Sequence, residues 1–259
     1  MFGRMTTKDL ALRALAALDL TTLGEDDTPT QVAALCARAR TKHGAVAAVC
    51  VYPEHIVASR AQLEASGSPS VRVATVTNFP DGAVDAERAV RETRRAVAAG
   101  AHEVDVVFPW RALLAGDEEI GARVVAGCRD AMPAGTSLKV ILETGELRDA
   151  ALIRRACDIA LRNGADFLKT STGKVPVNAT PEAARIMLDA IVESGASCGL
   201  KVAGGIRKVA DAVIYFDLAD ARMGPAWATP ARFRIGASAL LDDVLAVLDG
   251  RASGAADGY

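Results

Sequence analysis

Asp166-Phe167-Leu168-Lys169-Thr170-Ser171-Thr172-Gly173-Lys174 holds the contradiction on which the reading of the whole chain turns. Phe167 and Leu168 read as the middle of a short buried strand, yet a lysine follows at once. Three hydroxyl residues, a glycine and a second lysine come next. A buried ammonium is costly unless something exploits it. Burial and nearby positive charge both push a lysine towards the neutral amine, the form that attacks carbonyls. About one βα unit later the pattern recurs as Gly199-Leu200-Lys201-Val202-Ala203-Gly204-Gly205. Two lysines at the ends of neighbouring apolar strands, each leading into glycine, point to carbonyl chemistry on a phosphorylated substrate.

The strands on either side follow one plan. A helix ends at glycine, alanine follows, and an apolar strand begins, at Gly44-Ala45, Gly100-Ala101, Gly164-Ala165 and Gly195-Ala196. Glycine there can take the left-handed conformation that closes a helix. Strands are expected at 45–52, 71–79, 103–108, 138–144, 166–172, 200–203 and 233–236. An eighth, around Leu18-Asp19-Leu20-Thr21-Thr22-Leu23, shows alternating apolar and polar residues. Thr28-Pro29-Thr30-Gln31 has capping-box spacing and starts a helix expected to run to about Lys42. Strand starts fall roughly every 30 residues, near the minimum for a βα unit. Eight such units in 259 residues fit a (β/α)8 TIM barrel with an extra N-terminal helix. An open doubly wound sheet is the competitor, but its GxGxxG turn is missing. No linker divides the chain, so residues 1–259 read as one barrel domain, with 250–259 a loose tail.

Composition narrows the function. The residues are 51% apolar but only 4% aromatic, which suits small side chains packed between helices and a parallel sheet. A formal net charge of -2 gives no footprint for nucleic acid or an acidic membrane, and no apolar run reaches membrane-spanning length. The five cysteines lack CxxC spacing and read as reduced thiols of a cytoplasmic protein. Three scattered histidines offer no HxH or HxxxH pair, so no metal site is expected. A Ser/His/Asp triad has no GxSxG elbow to support it.

In a barrel, catalytic groups sit at the carboxyl ends of strands and phosphate on the loops after strands seven and eight. Lys169 and Lys201 then point into one mouth. Taken alone, Lys169 could be a structural lysine paired with a carboxylate. Two ammonium groups roughly 6 Å apart at an effective dielectric near 20 repel by about 3 kcal/mol, roughly two pKa units. That repulsion favours catalysis over packing. Asp105, alternating with Val104 and Val106, could neutralise the lysines or serve as acid/base, and the two are compatible. Asp19 and Thr21 could bind substrate hydroxyls or tie the first strand to its neighbour. Gly204-Gly205 and Gly236-Ala237-Ser238, beside Gly173-Lys174, let backbone N–H groups approach an anion. Arg207 could reach it or sit on the surface. Cys50 is a small core residue or, if it faces the mouth, a substrate contact.

These residues bring the chain close to a known family. It resembles deoxyribose-phosphate aldolase, in its bacterial, enterobacterial-type form. The resemblance runs nearly end to end through Asp19-Leu-Thr-Thr-Leu, Ala74-Thr-Val-Thr-Asn-Phe-Pro80, Glu103-Val-Asp-Val-Val-Phe-Pro109, Glu143-Thr-Gly-Glu-Leu147, 166–174 and Asn178-Ala-Thr-Pro181. It implies a class I aldolase with no metal or other cofactor. Such an enzyme cleaves 2-deoxy-D-ribose 5-phosphate reversibly to acetaldehyde and D-glyceraldehyde 3-phosphate, in deoxynucleoside catabolism. By that resemblance Lys169 is the Schiff-base lysine, Lys201 its perturbing neighbour and Asp105 the acid/base. Asp19, Thr21, Cys50, Thr172 and Lys174 match substrate-pocket positions, and Gly173, Gly204, Gly205, Gly236 and Ser238 the phosphate cradle. Tyr259 matches a terminal tyrosine that folds towards the site. The partners implied are small sugar phosphates and aldehydes, together with a second copy of the chain as a homodimer or tetramer. Val202 and Ala239 depart from the family's proline and second serine. An aldolase of altered acceptor preference and a non-catalytic sugar-phosphate binder are the rival readings.

Overall fold

Two capping boxes start the first two helices. In the computed structural model, which describes residues 5–251, Thr6 Oγ1 accepts from the Asp9 N–H at 3.2 Å and Asp9 accepts from the Thr6 N–H at 2.9 Å. This opens the extra N-terminal helix, Thr7–Ala17. Thr28 and Gln31 exchange the same pair of bonds before Pro29–Arg38. That helix stops short of Lys42. Arg40–Thr41 instead pairs antiparallel with Gly44–Ala45. Gly44, at φ +135°, therefore serves a hairpin and not a helix end. Gly100, Gly164 and Gly195 have positive φ just after helices Ala86–Ala98, Ala150–Arg162 and Pro181–Ser194, as the sequence led us to expect. Tyr259 and the rest of the tail beyond Arg251 lie outside the described residues.

Eight parallel strands close into a barrel: β1 (Leu18–Thr21), β2 (Ala48–Val51), β3 (Arg72–Thr77), β4 (Glu103–Val107), β5 (Ser137–Ile141), β6 (Phe167–Lys169), β7 (Gly199–Ala203) and β8 (Phe233–Ala237). Neighbours follow chain order, and β8 returns to β1. It is a TIM barrel. Several strands are shorter than expected. β5 ends at Ile141 because Glu143 takes a left-handed backbone and the helical turn Thr144–Leu147 begins. β6 ends at Lys169, so Thr170–Thr172 belong to the loop.

Alternation along each strand sorts two cores. Val49, Val104, Val106, Val140, Leu168, Leu200 and Ile235 face the helices and join one continuous apolar cluster. Inside the barrel only a small apolar group forms, from Leu23, Ala48, Cys50, Ala74 and Val76. Asp19, Glu103, Asp105, Lys139, Lys169, Lys201 and Arg234 bring charge to the interior beside it. Register sets Asp105 beside Lys139, Lys169 beside Lys201, and Lys201 beside Arg234.

Candidate active site

Three carboxylates and four cations fill the charged half of the barrel: Asp19, Glu103 and Asp105 with Lys139, Lys169, Lys201 and Arg234, all buried. Asp105 is the hub. Its Oδ2 receives Lys169 Nζ at 2.8 Å and Lys201 Nζ at 2.7 Å, while Lys139 Nζ meets Oδ1 at 2.7 Å. Lys201 Nζ also lies 2.6 Å from Asp19 Oδ2. Arg234 spans Asp19 at 2.6 Å and Glu103 at 2.8 Å, and Lys139 reaches Glu103 at 2.7 Å. Fully ionised, this group has one more cation than anions. Release of a single proton balances it.

Of the three lysines, Lys169 alone is pushed towards the neutral amine. Burial pushes its pKa below the ordinary lysine value, Asp105 pulls against the shift, and Lys201 adds to it. Repulsion by Lys201 is therefore a secondary cause, where the sequence argument made it the main one. Lys201 moves the other way. Burial lowers it, but Asp105 and Asp19 together raise it above its usual value. Lys139 is likewise raised, by Asp105 and Glu103 against burial. Burial would raise the Asp105 carboxyl, yet Lys139, Lys169 and Lys201 outweigh it and hold the group well below the usual carboxylate range.

Above Lys169 opens a cavity of about 540 Å³ at the carboxyl ends of the strands. Thr21, Thr172, Gly173, Lys174, Gly204, Gly205, Gly236 and Ser238 line it, so eight of the expected site residues meet there with Lys169. Gly173, Gly204 and Gly205 all have φ near +86°, which glycine adopts without strain. A Cβ on Gly204 would also meet the Asn178 side chain at 2.5 Å. Helix Leu240–Leu248 starts behind Ser238 and Ala239 with no side chain capping its first N–H groups. These features suit an anion. Arg207 lines the same cavity. Lys174 Nζ donates to the Leu23 carbonyl at 2.6 Å.

Asp105 is in direct contact with Lys169, and Lys201 bonds to the same carboxylate oxygen; neither Asp105 nor Lys201 lines the cavity. Asp19 is fully buried and paired to Lys201 and Arg234, which is the strand-tying arrangement. Thr21, by contrast, reaches the cavity wall. Cys50 sits in the small interior cluster, and burial pushes its thiol up. Val202 faces the helices, away from the cavity, while Ala239 lines it. Among the described residues no group of three His, Cys, Asp or Glu side chains is placed to hold a metal ion, and no helix is long and apolar enough to cross a membrane.

A family model for DeoC/LacD family aldolases matches residues 13–246. The chain belongs to that family. Two similar solved structures bear on it. A provisionally named deoxyribose-phosphate aldolase from Coccidioides immitis is 29% identical, with TM-score 0.79 over 92% of this chain and 86% of that one. The deoxyribose phosphate aldolase from Aeropyrum pernix, described as having a unique tetrameric structure, is 28% identical, with TM-score 0.72 over 93% and 92%. A Toxoplasma gondii ME49 chain, 24% identical with TM-score 0.87 over 94% and 95%, shows the same fold.

Within this aldolase scaffold, Lys139, Glu103 and Arg234 were not singled out from the sequence as members of the site. Each carries the signal that exposed Lys169, a charge at an inward position of an apolar strand. Lys139 stands in Leu138-Lys139-Val140, and Arg234 in Phe233-Arg234-Ile235. Glu143 was quoted in a motif but given no role. It is buried and accepts from Thr172.

Proposed function

We propose that this chain is a class I, Schiff-base deoxyribose-phosphate aldolase of the bacterial type. It cleaves 2-deoxy-D-ribose 5-phosphate reversibly to acetaldehyde and D-glyceraldehyde 3-phosphate, in the cytoplasmic catabolism of deoxynucleosides. One observation carries the reading. Of three buried lysines on one carboxylate, only Lys169 both lines the cavity and has a lowered pKa. The glycine-lined wall suits the phosphate, and family membership supplies the reaction class.

Neutral Lys169 adds to the C1 aldehyde, and the carbinolamine loses water to form an iminium ion. Asp105, with Lys201 and a water, carries the protons. The iminium cation forms on the nitrogen 2.8 Å from Asp105, whose carboxylate stabilises it. A base then removes the C3 hydroxyl proton, C3=O forms, and the C2–C3 bond pair flows into a C1–C2 enamine. The broken bond is C2–C3 and not C3–C4, because two carbons leave as acetaldehyde and three as glyceraldehyde 3-phosphate. Protonation at C2 and hydrolysis release acetaldehyde and the free amine. Phosphate held at the glycine loops supplies remote binding energy that positions the reacting carbons. The tetrameric Aeropyrum relative supports self-association, as a homodimer or tetramer.

Borohydride reduction in the presence of acetaldehyde tests the assignment. An ethyl group on Lys169 is expected by peptide mapping. Label on a different lysine, or no label, refutes it.

A further inference from the structure

Glu143 is a costly residue in its place. It follows β5 with φ 57° and ψ 55°, a left-handed backbone that glycine or asparagine would hold with less strain. Its side chain is fully buried, and burial lifts its pKa above the ordinary glutamate value. Something must repay both penalties, and the contacts show what. One carboxylate oxygen accepts the Thr172 N–H at 3.1 Å, and the other accepts the Thr172 hydroxyl at 2.5 Å. Thr172 Oγ1 in turn accepts the Lys174 N–H at 3.0 Å.

A hydroxyl has one proton and two lone pairs. At Thr172 the proton goes to Glu143 and one lone pair to Lys174. What remains is a single lone pair, on a residue that lines the cavity beside Lys169. We propose that Glu143 is a positioning residue that fixes Thr172 as a hydrogen-bond acceptor, so that the cavity selects acceptor aldehydes bearing a hydroxyl. The inference rests on the aldolase reading above. It adds to that reading a residue that never touches substrate yet sets which aldehyde is preferred.

Glu143→Gln keeps the shape of the side chain and reverses the pattern. The amide oxygen still accepts the Thr172 N–H, but the NH2 group now donates to Oγ1. The hydroxyl proton must then turn towards the cavity, where it no longer welcomes a substrate O–H. Acetaldehyde condensation would be measured with glyceraldehyde 3-phosphate and with 3-oxopropyl phosphate, which keeps the phosphate and lacks only the hydroxyl. The ratio of the two kcat/KM values should fall about tenfold, the scale of one hydrogen bond. A general structural defect would lower both rates and leave the ratio alone. Thr172→Val should lower the ratio as well, Thr172→Ser should preserve it, and Glu143→Gln should add nothing in the Thr172→Val background. If Glu143→Gln does not fold, the two Thr172 variants alone decide the matter. An unchanged ratio in Glu143→Gln or Thr172→Val, or additive losses in the double variant, overturns the proposal. Trapping of acetaldehyde on Lys169 in the parent reports separately on the aldolase reading itself.

Discussion

Lys169 and Lys201 are partners in register, both buried, and both hydrogen-bonded to the same oxygen of Asp105. Their acidities nevertheless diverge: Lys169 is pushed down and Lys201 up. Burial acts on both in the same direction, so it cannot separate them. The number of carboxylates does. Lys201 has Asp19 as well as Asp105, whereas Lys169 has Asp105 alone and faces the cavity. A lower barrel region rich in paired charge thus adjoins an upper region built of glycine and hydroxyl groups. The first raises the pKa of Lys139, Lys201 and Arg234 above their ordinary values, and the second leaves a cavity open beside Lys169.

The largest disturbance of this contrast is Asp105→Asn, which leaves three lysines converging on an amide. Breaking a buried charge network this way costs about 3–5 kcal/mol, and the urea midpoint should fall accordingly. A midpoint matching the parent would mean that the network contributes little to folding.

Asp19→Asn is milder, because Lys201 keeps Asp105 and Arg234 keeps Glu103. A loss of about 2–3 kcal/mol at pH 7 is expected for hydrogen bonds to charged groups. The pH dependence has a definite sign. Burial opposes ionisation of Asp19, but Lys201, Arg234 and Lys139 hold its pKa below the ordinary value. Its contribution is therefore complete above the unfolded carboxylate pKa of about 3.9 and is lost as pH falls through the lower folded value. The gap between variant and parent in denaturant titrations should be full at neutral pH and narrow in acid. A gap constant down to strongly acidic pH would remove Asp19 from the ion network.

Lys201→Leu sharpens the comparison most finely. One cation near Lys169 is lost, so the Lys169 pKa rises and the neutral amine forms only at higher pH. The rising limb of kcat/KM against pH should move upward, with a lower rate at pH 7. An unmoved limb would assign the whole depression of Lys169 to burial.

The site was legible in the sequence where a charge interrupted an apolar strand beside glycine. Lys169, Lys201 and the loops at Gly173, Gly204 and Gly236 carry that mark. The same mark was present at Lys139 and Arg234, but no glycine loop adjoins Lys139, and Arg234 lies low in its strand. Their partners are also remote in the chain: Arg234 meets Glu103 across 131 positions, and Lys139 meets Asp105 across 34. Glu143 was still less visible, since its meaning lies in a backbone angle and a bond to Thr172. Short strand ends were misjudged for a similar reason. Thr170–Thr172 have strand propensity, but a barrel pairs only as much strand as its neighbours can match.

The order of strands and helices, the eightfold repeat and the alternation that turns Asp105 inward were written in local pattern, because hydrophobic periodicity acts over a few residues. Which lysine is pushed towards the neutral amine was decided only by the closed barrel. Acidity depends on how many carboxylates stand within a few ångströms of each nitrogen, and closure of the barrel sets that number.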